Sequence, residues 1–329
     1  MKAWRVSEFG HYRDVMRFEH EVAQPKPAGA SALVRVLAAG VNFADILSIA
    51  GKYQVRATLP FTPGTEIAGE VVEASPDSSL KVGQRVVAMT FTGGFGEYAV
   101  VADAAALPLP EGVDPVHAAA MLVTYGTSHL ALHRRGGLRP GEWVLIHGGA
   151  GGVGTAAVQL ARRAGARVIA TASGEAKLQV CRDAGAEYVI DYRTEDFVER
   201  VREITEGRGA DVIYDPVGGD IFDQSTRCLA REGRLLVIGF SSGRIPEIKA
   251  NRILLKNISV IGVEWPRYLQ HDRQVLLDIQ DDVWAGYRDG SLRPVISKVE
   301  TLADVPRALA AIESRESYGK IVIDVAASA

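Results

Sequence analysis

The sequence is poor in the residues that build covalent or metal frameworks. It holds two cysteines, Cys181 and Cys228, among 329 residues. Two thiols make neither a disulfide scaffold nor a Cys-rich zinc site. Each lies in a helix-like stretch and reads as a small buried hydrophobe. Excess charge is lacking too: 37 Lys and Arg against 40 Asp and Glu leave a formal net charge of -3. That gives no electrostatic case for nucleic acid or an anionic membrane as partner. The opening MKAWRVSEFG lacks the apolar core of a signal peptide. Two stretches lack Asp, Glu, Lys and Arg over membrane-spanning length, Pro115–His133 and Trp143–Ala161. The first carries His, Ser, Thr and Tyr and the second is broken by glycines, so both read as buried segments of a globular chain. The expectation is a cytoplasmic protein with a small-molecule substrate.

What is present is glycine, 34 residues of it, and one stretch orders the chain around itself. Trp143 to His147 reads as a buried strand, followed at once by Gly149-x-Gly151-x-x-Gly154 and an apolar-periodic helix over 155–164. Gly165 closes that helix, and Arg167 to Thr171 reads as a second strand. Glycines at this spacing permit a tight turn, close approach to a pyrophosphate, and packing of helix on strand. The anion then meets main-chain N–H groups and the positive end of the helix dipole. Gly149, Gly151, Gly152, Val153 and Gly154 are the candidate cradle; the competing reading is a tight βα turn with no ligand.

Around this stretch the rhythm changes twice. Residues 1–110 alternate short β-branched runs (32–37, 67–73, 85–89, 98–102) with Pro and Gly turns, which suggests a small barrel or sandwich. Asp114 to about Arg135 reads as helix. From Trp143 strands are expected at 143–147, 167–171, 187–191, 211–215, 234–239 and 258–263, with helices between them. This alternation predicts a doubly wound parallel sheet. After Val263 come a long amphipathic helix, a strand near 295–299, a helix near 305–313 and a last strand at 319–325. The expected division is 1–123 with 265–329 as one domain and 124–264 as the other.

That order resembles the medium-chain dehydrogenase/reductase family, and within it the zinc-independent quinone oxidoreductase branch. The residues carrying the resemblance are Ala39-Gly40-Val41-Asn42-Phe43-Ala44-Asp45, Pro63-Gly64-Thr65-Glu66, Thr124-Tyr125-Gly126-Thr127, the Gly148–Gly154 loop, Asp215-Pro216-Val217-Gly218-Gly219 and Gly319-Lys320. It implies an α/β protein, a GroES-like β-rich catalytic domain joined to a doubly wound parallel Rossmann domain, and a homodimer. The edge strand Ser259–Val263 suits pairing across a twofold. Where the family's zinc enzymes place Cys and His, this chain has Asn42 and Thr65. Neither replaces thiolate or imidazole on zinc, so no metal is expected.

The expected cofactor is NADPH. The second strand ends Thr171-Ala172-Ser173, without the carboxylate that binds the NAD ribose. Lys177 follows one turn into the next helix, and Glu175 is the discordant residue. The resemblance assigns the 2′-phosphate to Ser173, Lys177, Tyr192 and Arg315. It also sets Asn42, Tyr53 and Thr127 near the nicotinamide ribose or ring, and Phe240, Ser241 and Val263 beside the carboxamide. The implied reaction is hydride transfer to a quinone or electron-poor enone, with Tyr53 as proton donor or as a ring packed on the nicotinamide. Alternatives are an enoyl-thioester or 2-alkenal reductase, and an NADPH-binding structural or sensor protein. His129 and His133 are four apart on a helix but lack a third ligand in sequence, and read as core or surface histidines. Tyr125, Phe91 and Phe95 are open between an acceptor pocket and ordinary packing.

Overall fold

The computed structural model describes residues 1–328. Two compact units are present, Met1–Val123 with Ile296–Ala329, and Thr124–Val295.

The first unit begins with the antiparallel pair β1 (Ala3–Val6) and β2 (Met16–Glu19), joined through the short helix α1 (Tyr12–Val15). Then come β3 (Ser31–Val41), helix α2 (Phe43–Ile49), β4 (Glu66–Ala74), β5 (Arg85–Met89), β6 (Tyr98–Ala102) and β7 (Ala106–Pro108). Helix α2 starts where the Asn42 main-chain N–H donates to Asp45 Oδ2 at 2.7 Å and the Asp45 N–H donates to the Asn42 main-chain carbonyl at 3.1 Å, a reciprocal pair that fixes Asn42 at the turn out of β3. Helix α3 (Pro115–His129) crosses the boundary between the units and runs on as a π-helical turn over 130–135.

The second unit alternates β8 (Trp143–Ile146), α4 (Gly152–Arg163), β9 (Arg167–Ala172), α5 (Glu175–Ala184), β10 (Tyr188–Asp191), α6 (Phe197–Ile204), β11 (Ala210–Asp215), α7 (Gly219–Cys228), β12 (Leu229–Val237), α8 (Ala250–Lys256) and β13 (Ser259–Gly262). All six strands are parallel, in the order β10-β9-β8-β11-β12-β13. The two central strands, β8 and β11, are buried along their whole length, as inner strands of a parallel sheet covered on both faces must be, while the edge strands β10 and β13 are partly exposed. The order reverses direction between β8 and β11, the crevice where such sheets bind nucleotides. Helices α9 (Tyr268–His271) and α10 (Arg273–Asp289) complete the unit.

The chain then returns with β14 (Ile296–Thr301), α11 (Val305–Glu313) and β15 (Lys320–Asp324). The sheet of the first unit runs β14-β15-β3-β4-β5-β7, with β6 also on β3. Val34, Val36, Ile67, Val71, Val86, Phe95, Leu309 and Ile323 are in its core.

The return comes later than the sequence suggests. Residues 265–295, expected in the first domain, belong with the sheet of the second unit. The reason is packing: the Trp265 ring lies against Gly126, leaving no room for a Cβ, and the Arg293 carbonyl accepts from Tyr125 Oη and Gln159 Nε2, both at 2.8 Å. Loss of strand–helix alternation after Val263 is therefore not a domain boundary.

Candidate active site

The turn after β8 sits at the reversal of strand order. His147 pins it: its ring contacts Thr171 Oγ1 at 3.1 Å and Ser225 Oγ at 2.9 Å, and burial pushes the imidazole down to about 3, so it stays neutral. Gly148 takes a left-handed φ of 59°. The three motif glycines answer different demands. A Cβ on Gly149 would lie 2.8 Å from Ala170 Cβ and 3.0 Å from Cys181 Sγ. One on Gly154 would overlap the Gly148 carbonyl and sit 2.8 Å from Gly149 Cα. Around Gly151 the nearest atom is Gly148 O, at 3.3 Å. Gly151 thus keeps a clear outer side, where a ligand's phosphates can approach the main chain. No side chain caps the start of α4.

Ser173, Lys177 and Tyr192 come together at the carboxyl ends of β9 and β10. Ser173 follows β9, Lys177 is in the first turn of α5, and the Tyr192 N–H donates to Ala172 O at 3.3 Å. Glu175 is not discordant: it pairs with Arg182 at 2.5 Å along the helix, three-quarters exposed. A further cation is here that the sequence reading missed. The Arg193 guanidinium lies against Gly174, where a Cβ would be 2.6 Å from Nη2. It is held by Asp191 at 3.4 Å, and Asp191 also accepts from the Gly174 N–H at 2.9 Å. These contacts keep the Asp191 carboxyl below its ordinary range, the Arg193 bond contributing most. A basic residue directly after a strand-end Asp-Tyr was the available signal.

At the other end of the crevice, Asp215 closes β11 by accepting from the Val217 and Gly218 N–H groups at 2.8 and 3.0 Å. Phe240 packs beside Gly218, and the Ser241 N–H donates to Pro216 O at 3.1 Å. Val263 extends β13, its N–H donating to Val237 O at 3.1 Å. Thr127 neighbours Ser128, whose hydroxyl donates to the Val153 carbonyl in the glycine loop at 3.0 Å. The second unit therefore sets Phe240, Ser241 and Val263 just past the carboxyl ends of β12 and β13, and Thr127 on α3 next to a residue bonded to α4.

Asn42, Tyr53 and Arg315 belong to the first unit. Tyr53 is half-buried in the loop after α2, and Arg315 has φ 57° just past α11. Asn42 is the centre of a polar cluster. Its Nδ2 donates to Glu66 Oε1 at 3.0 Å, Thr65 Oγ1 at 3.2 Å and Gly40 O at 3.3 Å. Its Oδ1 accepts from Lys320 Nζ at 2.9 Å, and Lys320 also pairs with Glu66. The cluster offers an amide and a hydroxyl, weak donors to zinc, and its carboxylate is already paired with an ammonium. Among the described residues no three His, Cys, Asp or Glu are grouped to hold a metal ion.

Other candidates fall to packing. Tyr125 is 2 % exposed with its hydroxyl on Gln159 and Arg293, and Phe95 is in the core. His129 contacts Asp282 at 3.0 Å, stacked edge-on to His133. Burial pushes His133 down to about 4.

Residues 28–111 match the family described as "Alcohol dehydrogenase GroES-like domain", and residues 152–280 that described as "Zinc-binding dehydrogenase". The chain is 42 % identical over 295 residues to "Quinone oxidoreductase-like protein 2 homolog" of Nematostella vectensis, covering 88 % of this chain and 80 % of that one. To "Quinone oxidoreductase" of Homo sapiens it is 33 % identical, covering 94 % and 92 %. Its fold matches the solved structure of Escherichia coli quinone oxidoreductase complexed with NADPH, with TM-score 0.91 and 30 % identity over 99 % and 100 % of the chains.

Proposed function

Since the chain belongs to the quinone oxidoreductase branch of the medium-chain dehydrogenase/reductase family, we propose that it is an NADPH-dependent reductase passing a hydride to a quinone or other electron-poor enone without a metal. The observation that carries the reading is the crevice between β8 and β11: a glycine loop with Gly151 open on its outer side, and Ser173, Lys177 and Arg193 where an NAD site would put a carboxylate.

Main-chain N–H groups at the start of α4, from Gly152 onward, hold the pyrophosphate, while those of Gly149 and Gly151 donate to the Thr171 and Gly148 carbonyls and shape the turn it rests on. Ser173, Lys177, Tyr192 and Arg315, with Arg193, hold the 2′-phosphate through charge-assisted bonds. Phe240, Ser241 and Val263 flank the carboxamide, and Asn42 and Thr127 serve the nicotinamide end. NADPH, when bound, supplies the hydride. The protein's part is to orient the acceptor and stabilise the oxyanion that develops on it. Tyr53 delivers the proton to that oxygen directly or through water. The alternative role for Tyr53 is a ring packed on the nicotinamide, and substitution separates the two.

The same reading makes the protein a cytoplasmic homodimer. In support, β13 is a sheet edge, and Ile245, Leu254 and Leu255 nearby are 70 %, 74 % and 79 % exposed. No helix of the described residues is long and apolar enough to cross a membrane.

The test is optical: NADPH oxidation with a benzoquinone, a naphthoquinone, an alkenal and an enoyl-CoA, each with a chelator present. Turnover of a quinone supports the metal-free quinone reductase, and preference for the alkenal or the enoyl-CoA moves the assignment to the 2-alkenal or enoyl-thioester reductase. NADPH binding without turnover of any acceptor supports a sensor or structural protein instead.

A further inference from the structure

The first unit buries an ion pair to which hydride transfer has so far given no task. Lys320, opening β15, is 5 % exposed, and Glu66, opening β4, is 0 % exposed. Two buried charges are tolerated only when their hydrogen-bonding capacity is met. Here it is. The three protons of the ammonium face three acceptors: the Val41 carbonyl at 3.0 Å, Asn42 Oδ1 at 2.9 Å, and Glu66 Oε1. Glu66 accepts in addition from Asn42 Nδ2 on Oε1 and from the Val123 N–H on Oε2 at 2.9 Å. Gly40 is glycine because a Cβ there would overlap Glu66 Oε1 and the Ala119 carbonyl.

This arrangement decides which way round the Asn42 carboxamide lies. An ammonium only donates and a carboxylate only accepts. The oxygen must therefore face Lys320 and the nitrogen must face Glu66. Rotating the amide by half a turn would set NH₂ against the ammonium and oxygen against the carboxylate, losing both bonds. The Nδ2 protons are committed to Glu66, with Thr65 and Gly40 as further acceptors. What Asn42 can still offer a ligand is the second lone pair of Oδ1. It can accept from a hydroxyl but has no proton for an oxyanion.

We propose that Lys320, with Glu66, is a positioning residue that fixes Asn42 as a hydrogen-bond acceptor for a hydroxyl of the bound dinucleotide and removes it from oxyanion stabilisation. This rests on the assignment of Asn42 to the nicotinamide end.

The experiment compares NADPH affinity, by fluorescence titration, and kcat at saturating NADPH in the native chain, Lys320→Met, Asn42→Ala and the double variant. Each single substitution should weaken NADPH binding about tenfold, the worth of one bond to a charged or oriented partner, and the double should be no weaker than the worse single. In both single variants the loss should fall on NADPH affinity by a larger factor than on kcat, the split expected when the missing contact is to the bound cofactor. Independent, multiplying effects on affinity would overturn the proposal, as would a fall in kcat with unchanged affinity. Lys320→Met leaves Glu66 charged and buried; where that variant fails to fold, Lys320→Met with Glu66→Gln neutralises the pair and carries the same comparison. A native chain that binds no NADPH removes the cofactor reading and this proposal with it. A native chain that binds, with variants that bind equally well, removes this proposal alone.

Discussion

The Arg193 guanidinium rests on Gly174, one residue beyond Ser173, and Asp191 holds it there through Nε and Nη2 at 3.4 Å. A planar cation tethered at the end of β10 is preorganised for a phosphate in a way a mobile lysine is not. Arg193→Ala and Lys177→Ala should each raise KM for NADPH about tenfold while moving KM for NADH little, since only the former has the 2′-phosphate. Steady-state kinetics with both nucleotides decide it, and equal effects on the two would sink the 2′-phosphate assignment.

The glycine loop separates binding from folding. Gly154→Ala puts a methyl into the Gly148 carbonyl, so the turn itself must move. Thermal unfolding should fall by several degrees and NADPH should bind poorly. Gly151→Ala meets only Gly148 O at 3.3 Å and should fold with near-native stability. Its NADPH affinity should nonetheless drop about tenfold or more, because the methyl occupies the outer side that the pyrophosphate needs. Paired measurements of Tm and Kd would contradict this if Gly151→Ala bound normally.

Tyr53→Phe tests the proton donor. Loss of a general acid typically lowers kcat by about a hundredfold or more, with a smaller change in NADPH affinity. Unchanged kcat would leave the ring as a packing element. A solvent isotope effect on kcat that disappears in the variant would strengthen the acid role.

These predictions draw unequally on what the sequence makes legible. The β8–loop–α4 unit is readable because glycine spacing and a change of periodicity coincide within a few residues. The fold class followed from the same alternation. The end of β3 is harder, since Ala38–Val41 is apolar throughout and shows no period. Helix α2 is short and was visible only as a family signature. The Asn42 cluster is out of reach of local reading altogether: Lys320 meets Asn42 and Glu66 across 278 and 254 residues of chain. Arg193 was missed for a different reason, because the resemblance to NADPH sites names Ser173, Lys177, Tyr192 and Arg315 and passes over the residue after Tyr192. Trp265–Val295 misled because loss of alternation looks like a boundary, whereas its ties to Tyr125 and Gln159 are tertiary.

Asp45 gives the cluster a pH dependence. Its carboxyl is fully buried, with Oδ2 accepting from the Asn42 N–H and Oδ1 lacking a partner among the described residues. Burial pushes it up to about 7, against the lowering effects of the Asn42 N–H, the Lys320 charge and the Thr65 hydroxyl, with Glu66 adding to the rise. In the unfolded chain the same group ionises in the ordinary aspartate range. Between that range and about 7 the folded state binds the extra proton, so stability falls as pH rises. The slope approaches about 1.4 kcal/mol per pH unit for one proton, roughly 4 kcal/mol across the window. Asp45→Asn keeps an acceptor for the Asn42 N–H and cannot ionise. The stability difference between native and Asp45→Asn should therefore shift steadily in favour of the variant from about pH 4 to pH 7 and then level off. Urea midpoints across that range measure it, and parallel pH profiles for the two proteins would show that Asp45 ionises in the fold as it does in the unfolded chain.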